Sequence, residues 1–254
     1  MMDKRKSMKW ALAGCLALAT SWATAQSDTP LRLLVGFAPG GGVDSVARLM
    51  APKLSAVLKQ NIIVDNRAGA GGNIATEALY KAAGDDNTIM LGTIGSLAVN
   101  QHLISMSFNP STELEMIGMA VTFSNILVVP AASPINNFAE YLRAAKEPNT
   151  QLAFGSSGIG SAGHLAGEML KSAAKLNYQH VPYRGGAPAM ADLLAGVLPS
   201  IFSTPSDALT YVQAKKLRAL ATTGSSRHEA LPPNARLKSP TSSALACICA
   251  DKSA

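Results

Sequence analysis

VGFAPGGGVDSVARLM, residues Val35 to Met50, passes from an apolar stretch through three consecutive glycines into a helical period. Upstream, Leu31 to Gly36 is almost wholly apolar and ends at a turn, the composition of a strand buried on both faces. Downstream, Val46, Leu49, Met50, Leu54, Val57 and Leu58 recur at helical spacing, which predicts a helix over Asp44 to Leu58. Ile62-Ile63-Val64 then reads as a strand, Ile74 to Ala83 as a helix and Thr88 to Ile94 as a further strand. This β-α-β-α-β order predicts a parallel sheet with helices on its faces.

A second cycle follows Asn109-Pro110. Met116 to Pro130 holds two apolar runs, Phe138 to Lys146 a helix, and Leu152 to Phe154 a short strand that runs into Gly155-Ser156-Ser157-Gly158-Ile159-Gly160-Ser161. Helices are predicted over Ala162 to Leu176, up to Leu194 after Arg184-Gly185-Gly186-Ala187-Pro188, and after Ser203-Thr204-Pro205-Ser206; Leu217 to Thr222 closes as a strand. The recurring unit is strand, loop of Gly, Ser and Thr, helix. In open parallel sheets such loops lie at the carboxyl ends of the strands, where ligands bind. Free N–H groups and the helix dipole there favour anions without a side-chain cation. Two α/β segments carrying such loops predict a ligand cleft between two domains.

The glycines do not read as a nucleotide site. No G-x-G-x-x-G stands in register with an acidic residue after the next strand, and G-x-x-x-x-G-K-[ST] is absent. The nucleophile elbow of α/β hydrolases is also absent, because Ile159 stands where the second glycine would follow Ser157. His102, His164, His180 and His228 are scattered, which predicts no metal site and no cofactor. Cys247 and Cys249 are one residue apart and staple nothing distant, so no role is assigned to them.

The formal net charge is +6, but Lys4, Arg5, Lys6 and Lys9 crowd the N-terminus against the single Asp3, so half of that charge sits in one short segment. No later basic run interleaves with aromatics, which argues against nucleic acid as a partner. Residues 1 to 25 read as a secretory signal: a basic start, the apolar WALAGCLALATSW, and Ala23-Thr24-Ala25 as the cleavage site. Competing readings are a lipoprotein box at Cys15 and a membrane anchor; the apolar core is short for the first and falls below the roughly 20 residues a span needs. The expected location is the periplasm.

Taken together, Pro39 to Arg48, Asp65 to Ile74, Gly155 to Gly158 with His164 to Glu168, His180 to Ala189, and Lys216 to Thr222 resemble, in order and spacing, the periplasmic solute-binding proteins of tripartite tricarboxylate transporters, the Bug or TctC-like family. The resemblance implies a two-domain Venus-flytrap architecture, each domain a mostly parallel sheet with flanking helices. It also implies a monomeric, non-enzymatic receptor that closes on a small carboxylated solute and presents it to a membrane permease. Carried over by position, Phe37, Gly40, Gly41, Gly42 and Asp44 would cradle the ligand from the first domain, with Thr93, Gly95 and Ser96 at the third strand end. Ser156, Ser157 and Ser161, the amides of Gly185, Gly186 and Ala187, and Ser203 and Asp207 would face them from the second. Asp44, Asp207 and Arg184 each also read as a helix cap or a surface charge.

Two departures stand out. Val43 replaces the hydroxyl residue common in the family, so the resemblance does not carry ligand identity with it. Beyond Leu231-Pro232 the resemblance ends, and residues 233–254 show no strand or helix period, as in a truncated or frameshifted copy. The resulting expectation is a first domain of residues 26–108 and 217–232, incomplete and with a sheet edge exposed, a second domain of 109–216, and a divergent tail. A nonfunctional remnant and an exported α/β enzyme are the alternative readings.

Overall fold

The computed structural model describes residues 29–224 and, as backbone, 244–251. The secretory signal read over residues 1–25, Cys15 included, lies outside the described residues. The first lobe is a five-stranded sheet built on β1 (Leu31–Val35), β2 (Ile62–Asn66) and β3 (Thr88–Thr93), with β4 (Leu114–Phe123) and β10 (Ala244–Asp251), in the order β2-β1-β3-β10-β4. Around it lie α1 (Gly42–Leu58), α2 (Asn73–Lys81) and the short α3 (Pro110–Glu113). β1 pairs in parallel with β2 and β3, and β10 runs antiparallel between β3 and β4.

The second lobe repeats the plan. Its strands are β5 (Ile126–Pro130), β6 (Ala153–Ser156), β7 (Gln179–Pro182), β8 (Ile201–Ser203) and β9 (Leu217–Thr222), ordered β7-β6-β8-β5-β9. Its helices are α4 (Phe138–Lys146), α5 (Ala162–Ala174), α6 (Gly186–Leu194) and α7 (Pro205–Gln213).

Burial follows the period of two. Leu33 and Val35 pack with Val43, Ala47 and Leu91 on one face of the first sheet, and Leu34 packs with Ala75, Leu79 and Met90 on the other. In the second sheet Ile126 and Val128 join Met190, Leu193 and Ile201, while Leu127 and Val129 join Tyr141, Phe154 and Tyr178. A sheet buried on both faces reads as a continuous apolar run, which is why these strands show no alternation in sequence. Each Val, Leu, Ile, Phe or Met among them, taken fully out of water, contributes about 1.5–3 kcal/mol.

Three strands depart from the sequence expectation. Leu217–Thr222, expected in the first domain, lies beside β5 in the second sheet. Leu114–Phe123, expected in the second domain, forms the edge of the first sheet. The tail, expected to lack regular structure, supplies Ala244–Asp251, so the space between β3 and β4 is filled by a strand rather than left as an open edge. ALACICA, residues 244–250, is an unbroken apolar run closed by Asp251. Such a run has the composition of a buried strand while offering no alternation to detect.

The chain therefore passes between lobes at Ser124-Asn125 and again after Thr222. The two passages are clipped side by side: Thr223 N–H donates to the Asn125 carbonyl at 2.9 Å, Asn125 N–H donates to Thr223 Oγ1 at 2.9 Å, and Thr222 Oγ1 donates to the same carbonyl at 3.2 Å. Among the described residues the lobes are joined by these two adjacent segments, the arrangement of a hinge.

Candidate ligand-binding site

The site is built from helix starts. α1 opens on Gly42 after Gly41, and α6 opens on Gly186 after Gly185; neither preceding glycine supplies a side-chain cap. By contrast Asn137, Ser161 and Thr204 cap α4, α5 and α7 with side-chain oxygens. The first-turn N–H groups of α1 and α6 are thus left to whatever stands before them. They face each other: a Cβ on Gly41 would lie 3.5 Å from Gly186 N and 3.7 Å from Ala187 N. The start of α7 joins them, since a Cβ on Gly42 would lie 2.5 Å from Thr204 Oγ1. Only residues without side chains allow three helix starts to approach this closely.

Between these helix starts lies a partly open cavity of about 30 Å³ lined by Phe37, Gly41, Gly42 and Val43 of the first lobe, Asn125 of the hinge, and Ser157, Gly186, Ile201, Phe202, Ser203, Thr204 and Asp207 of the second. Such a volume holds on the order of two waters. Asn125 Nδ2 and Ser203 Oγ are buried and make no hydrogen bond within the protein. Asp207 is the one ionisable side chain in the lining; burial pushes its carboxyl up to about 6, opposed only by a hydrogen bond with Thr204.

Of the residues named from the sequence, Phe37, Gly41, Gly42, Ser157, Gly186, Ser203 and Asp207 line this cavity. Gly40 and Ala187 face each other across the cleft beside it, and Gly185 lies against Ala38. Asp44 has another task. Its Oδ2 accepts from Gly40 N–H at 2.8 Å and Arg48 Nε at 2.9 Å, and its Oδ1 accepts from Asn66 Nδ2 at 2.9 Å. Burial opposes its ionisation, and these three donors overcome that opposition, holding the carboxyl below the usual carboxylate value. The buried Asp44 is therefore a clamp that fixes the glycine loop to the end of β2.

Thr93 and Ser96 bond to one another in a turn, with Ser96 Oγ donating to the Thr93 carbonyl at 3.2 Å. Gly95 lies against the Gly160 carbonyl of the other lobe. Ser161 caps α5 through the His164 amide. Ser156 Oγ is held by the Gly158 amide at 3.1 Å and by His180 Nε2 at 2.7 Å. His180 stacks between Phe154 and His164; burial, aided by the charges of His164 and Lys171, lowers its pKa to about 4. A wholly buried hydroxyl occupied by its own loop, beside an imidazole flanked by rings, does not form a nucleophile and base. Among the described residues no His, Cys, Asp and Glu side chains group as a metal site.

Reasoning from sequence missed Asn125 and Thr204. Asn125 sits in the polar break Ser124-Asn125 between two apolar runs, a pattern shared with ordinary turns; Thr204-Pro205 carries the signal of a capped helix start, and that signal was there to be read.

Residues 46–244 match the family model described as tripartite tricarboxylate transporter family receptor. The chain belongs to this receptor family. The receptor is 36% identical to a UPF0065 protein from the tcbD-tcbE intergenic region of Pseudomonas sp. (strain P51), over 87% of this chain and 68% of that protein. It superposes on the periplasmic binding protein BugD with a TM-score of 0.80 at 30% identity, covering 88% of this chain and 76% of BugD. On R. palustris Rpa4515, solved with adipate, the TM-score is 0.81 at 29% identity, covering 88% and 77%. The two lobes are those of a periplasmic binding protein, and the family is one of non-enzymatic solute receptors. No described helix of the receptor is long and apolar enough to cross a membrane.

Proposed function

We propose that the protein is a monomeric extracytoplasmic receptor that captures a small carboxylated solute between its lobes and delivers it to the membrane permease of a tripartite tricarboxylate transporter. The observation that carries this reading is the pair of uncapped helix starts, Gly42 and Gly186, aimed at one another across the cleft. Two positive dipole ends brought together repel, and an anion between them satisfies both. Asn125 Nδ2 and Ser203 Oγ add two buried donors to the same cavity. Rpa4515, which shares the fold at 29% identity, carries adipate, in keeping with a dicarboxylate here.

At about 30 Å³ the space between the lobes is smaller here than a dicarboxylate, so the ligand-bound closed form holds the lobes somewhat further apart, and loading requires a wider opening at the Asn125/Thr223 hinge. Because the ligand reaches both lobes only when they close, binding shifts the population to the closed form. Export of the chain by residues 1–25 places this cleft in the periplasm. The test is thermal unfolding with a panel of mono-, di- and tricarboxylates and their methyl esters. A ligand at about 100 times its Kd adds roughly 2.7 kcal/mol to the native state. A melt raised by an acid and not by its ester supports the reading; a melt indifferent to every acid overturns it.

A further inference from the structure

The cavity prepared for an anion contains an anion of its own. Asp207 lies in the first turn of α7, with Oδ2 against Gly186, so that a Cβ on that glycine would collide with the carboxylate. Among the described residues no cation compensates it. From α1, Asp44 and Arg48 are paired with one another at 2.9 Å. From α6, Asp192 accepts the Tyr183 hydroxyl at 2.7 Å. On β9, Arg218 donates to the carbonyls of Ala131, Ser133 and Ile135, and β5 carries no charge. The same lining holds Asn125 and Ser203, 2% and 4% exposed, whose Nδ2 and Oγ lack a partner and can donate to a ligand oxygen.

We propose that Asp207 takes up one proton from solvent when a carboxylate enters the cleft, and that the neutral acid then donates that proton's hydrogen bond to the ligand. This rests on the carboxylate-receptor reading above. Two carboxylates sharing one closed site cannot both stay ionised, and one of them is driven to hold the proton. Asp207 is the group prepared for it, since burial without a cation already lifts its carboxyl to about 6 before any ligand adds its charge. Free dicarboxylates titrate near the ordinary carboxylate value of about 4 and stay ionised above about pH 6. His164 and His180 lie outside the lining, and burial lowers both below the ordinary imidazole value, His180 to about 4, so His180 stays neutral over the same range.

The experiment is titration calorimetry of the protein with malate and with adipate from about pH 6 to about pH 8.5, in buffers of different ionisation enthalpy. Uptake approaching one proton is expected near neutrality, with Kd rising toward tenfold per pH unit at the alkaline end. Asp207→Asn supplies a neutral donor and is expected to bind with no proton uptake and a flat pH profile; Asp207→Ser is the second variant, with the same flat profile. Carboxylate binding with no proton uptake in the wild-type protein overturns the proposal and leaves the receptor reading intact. Retention of the full slope in either variant also overturns it. Binding of no acid of the panel above, malate and adipate included, at any pH overturns the receptor reading and the proposal together, and the uptake measurement on the wild-type protein needs no variant to fold.

Discussion

The Ala38 amide donates to the Arg184 carbonyl at 3.1 Å, a backbone hydrogen bond that joins the glycine loop of one lobe to that of the other. The next residue, Gly185, has φ +150°, and a Cβ there would lie 2.8 Å from Ala38 N. The closed contact thus depends on bare backbone at this position. Gly185→Ala is expected to strain the backbone by about 1–3 kcal/mol and to hold the lobes apart, weakening carboxylate binding about tenfold or more. Titration reads the affinity and small-angle scattering the lobe separation; an unchanged Kd with unchanged dimensions would show that closure does not use this contact.

Asp44 offers a prediction about the loop rather than the ligand. Replacing it by Asn turns one acceptor oxygen into a donor facing Gly40 N–H, Arg48 and Asn66. The expected loss is about 1.5–3 kcal/mol of stability, the range for hydrogen bonds to a charged group. Because the folded carboxyl is depressed, its contribution is present above the ordinary carboxylate value and disappears as pH falls through the lower folded one. Denaturant titrations at neutral and acid pH should therefore show wild type and Asp44→Asn converging in acid; parallel curves at both would contradict the clamp.

What could be read in advance, and what could not, follows from the range of the signals. Leu33, Leu34 and Val35, or Leu127, Val128 and Val129, announce a strand buried on both faces through local composition alone. Nothing in such a run says which sheet it joins, so composition does not place β9, and β4 is an edge strand exposed over much of its length; the crossing at Ser124-Asn125 is a short polar break like any turn. Gly41, Gly42 and Gly186 stand out in the sequence because a glycine before a helical period leaves the helix start bare. The three donors to Asp44 come from Gly40, Arg48 and the distant Asn66, and no local pattern announces them. The partners of the Ser156 hydroxyl, Gly158 in its own loop and His180 on the next strand, are likewise set by the fold.

His180 makes the second lobe acid-sensitive. Its folded pKa of about 4 lies below the ordinary 6.5 because burial, then the charges of His164 and Lys171, oppose protonation. The unfolded chain therefore binds a proton that the native one refuses, and stability falls as pH drops from 6.5 toward 4. Allowing for the partial exposure of the ring, the loss is about 1–2 kcal/mol. His180→Gln, which keeps a polar partner for Ser156 Oγ, should lose less over the same interval in thermal melts followed by circular dichroism. Equal acid losses in the two proteins would assign the sensitivity elsewhere.

Ser203 separates stability from binding. Its hydroxyl is 4% exposed, lines the cavity and makes no hydrogen bond within the protein. A buried donor without a partner costs about 1–3 kcal/mol, and replacing it by an apolar group of similar shape removes that cost. Ser203→Ala is thus expected to leave the ligand-free protein as stable as wild type or more so. With a carboxylate present the order reverses, because the hydroxyl's partner is now a ligand oxygen, and its loss should weaken binding about tenfold. Melting without ligand and titration with it measure the two effects on one sample. If Ser203→Ala lowers the melting temperature and leaves Kd unchanged, the hydroxyl serves the fold, and the cavity has been assigned the wrong contacts.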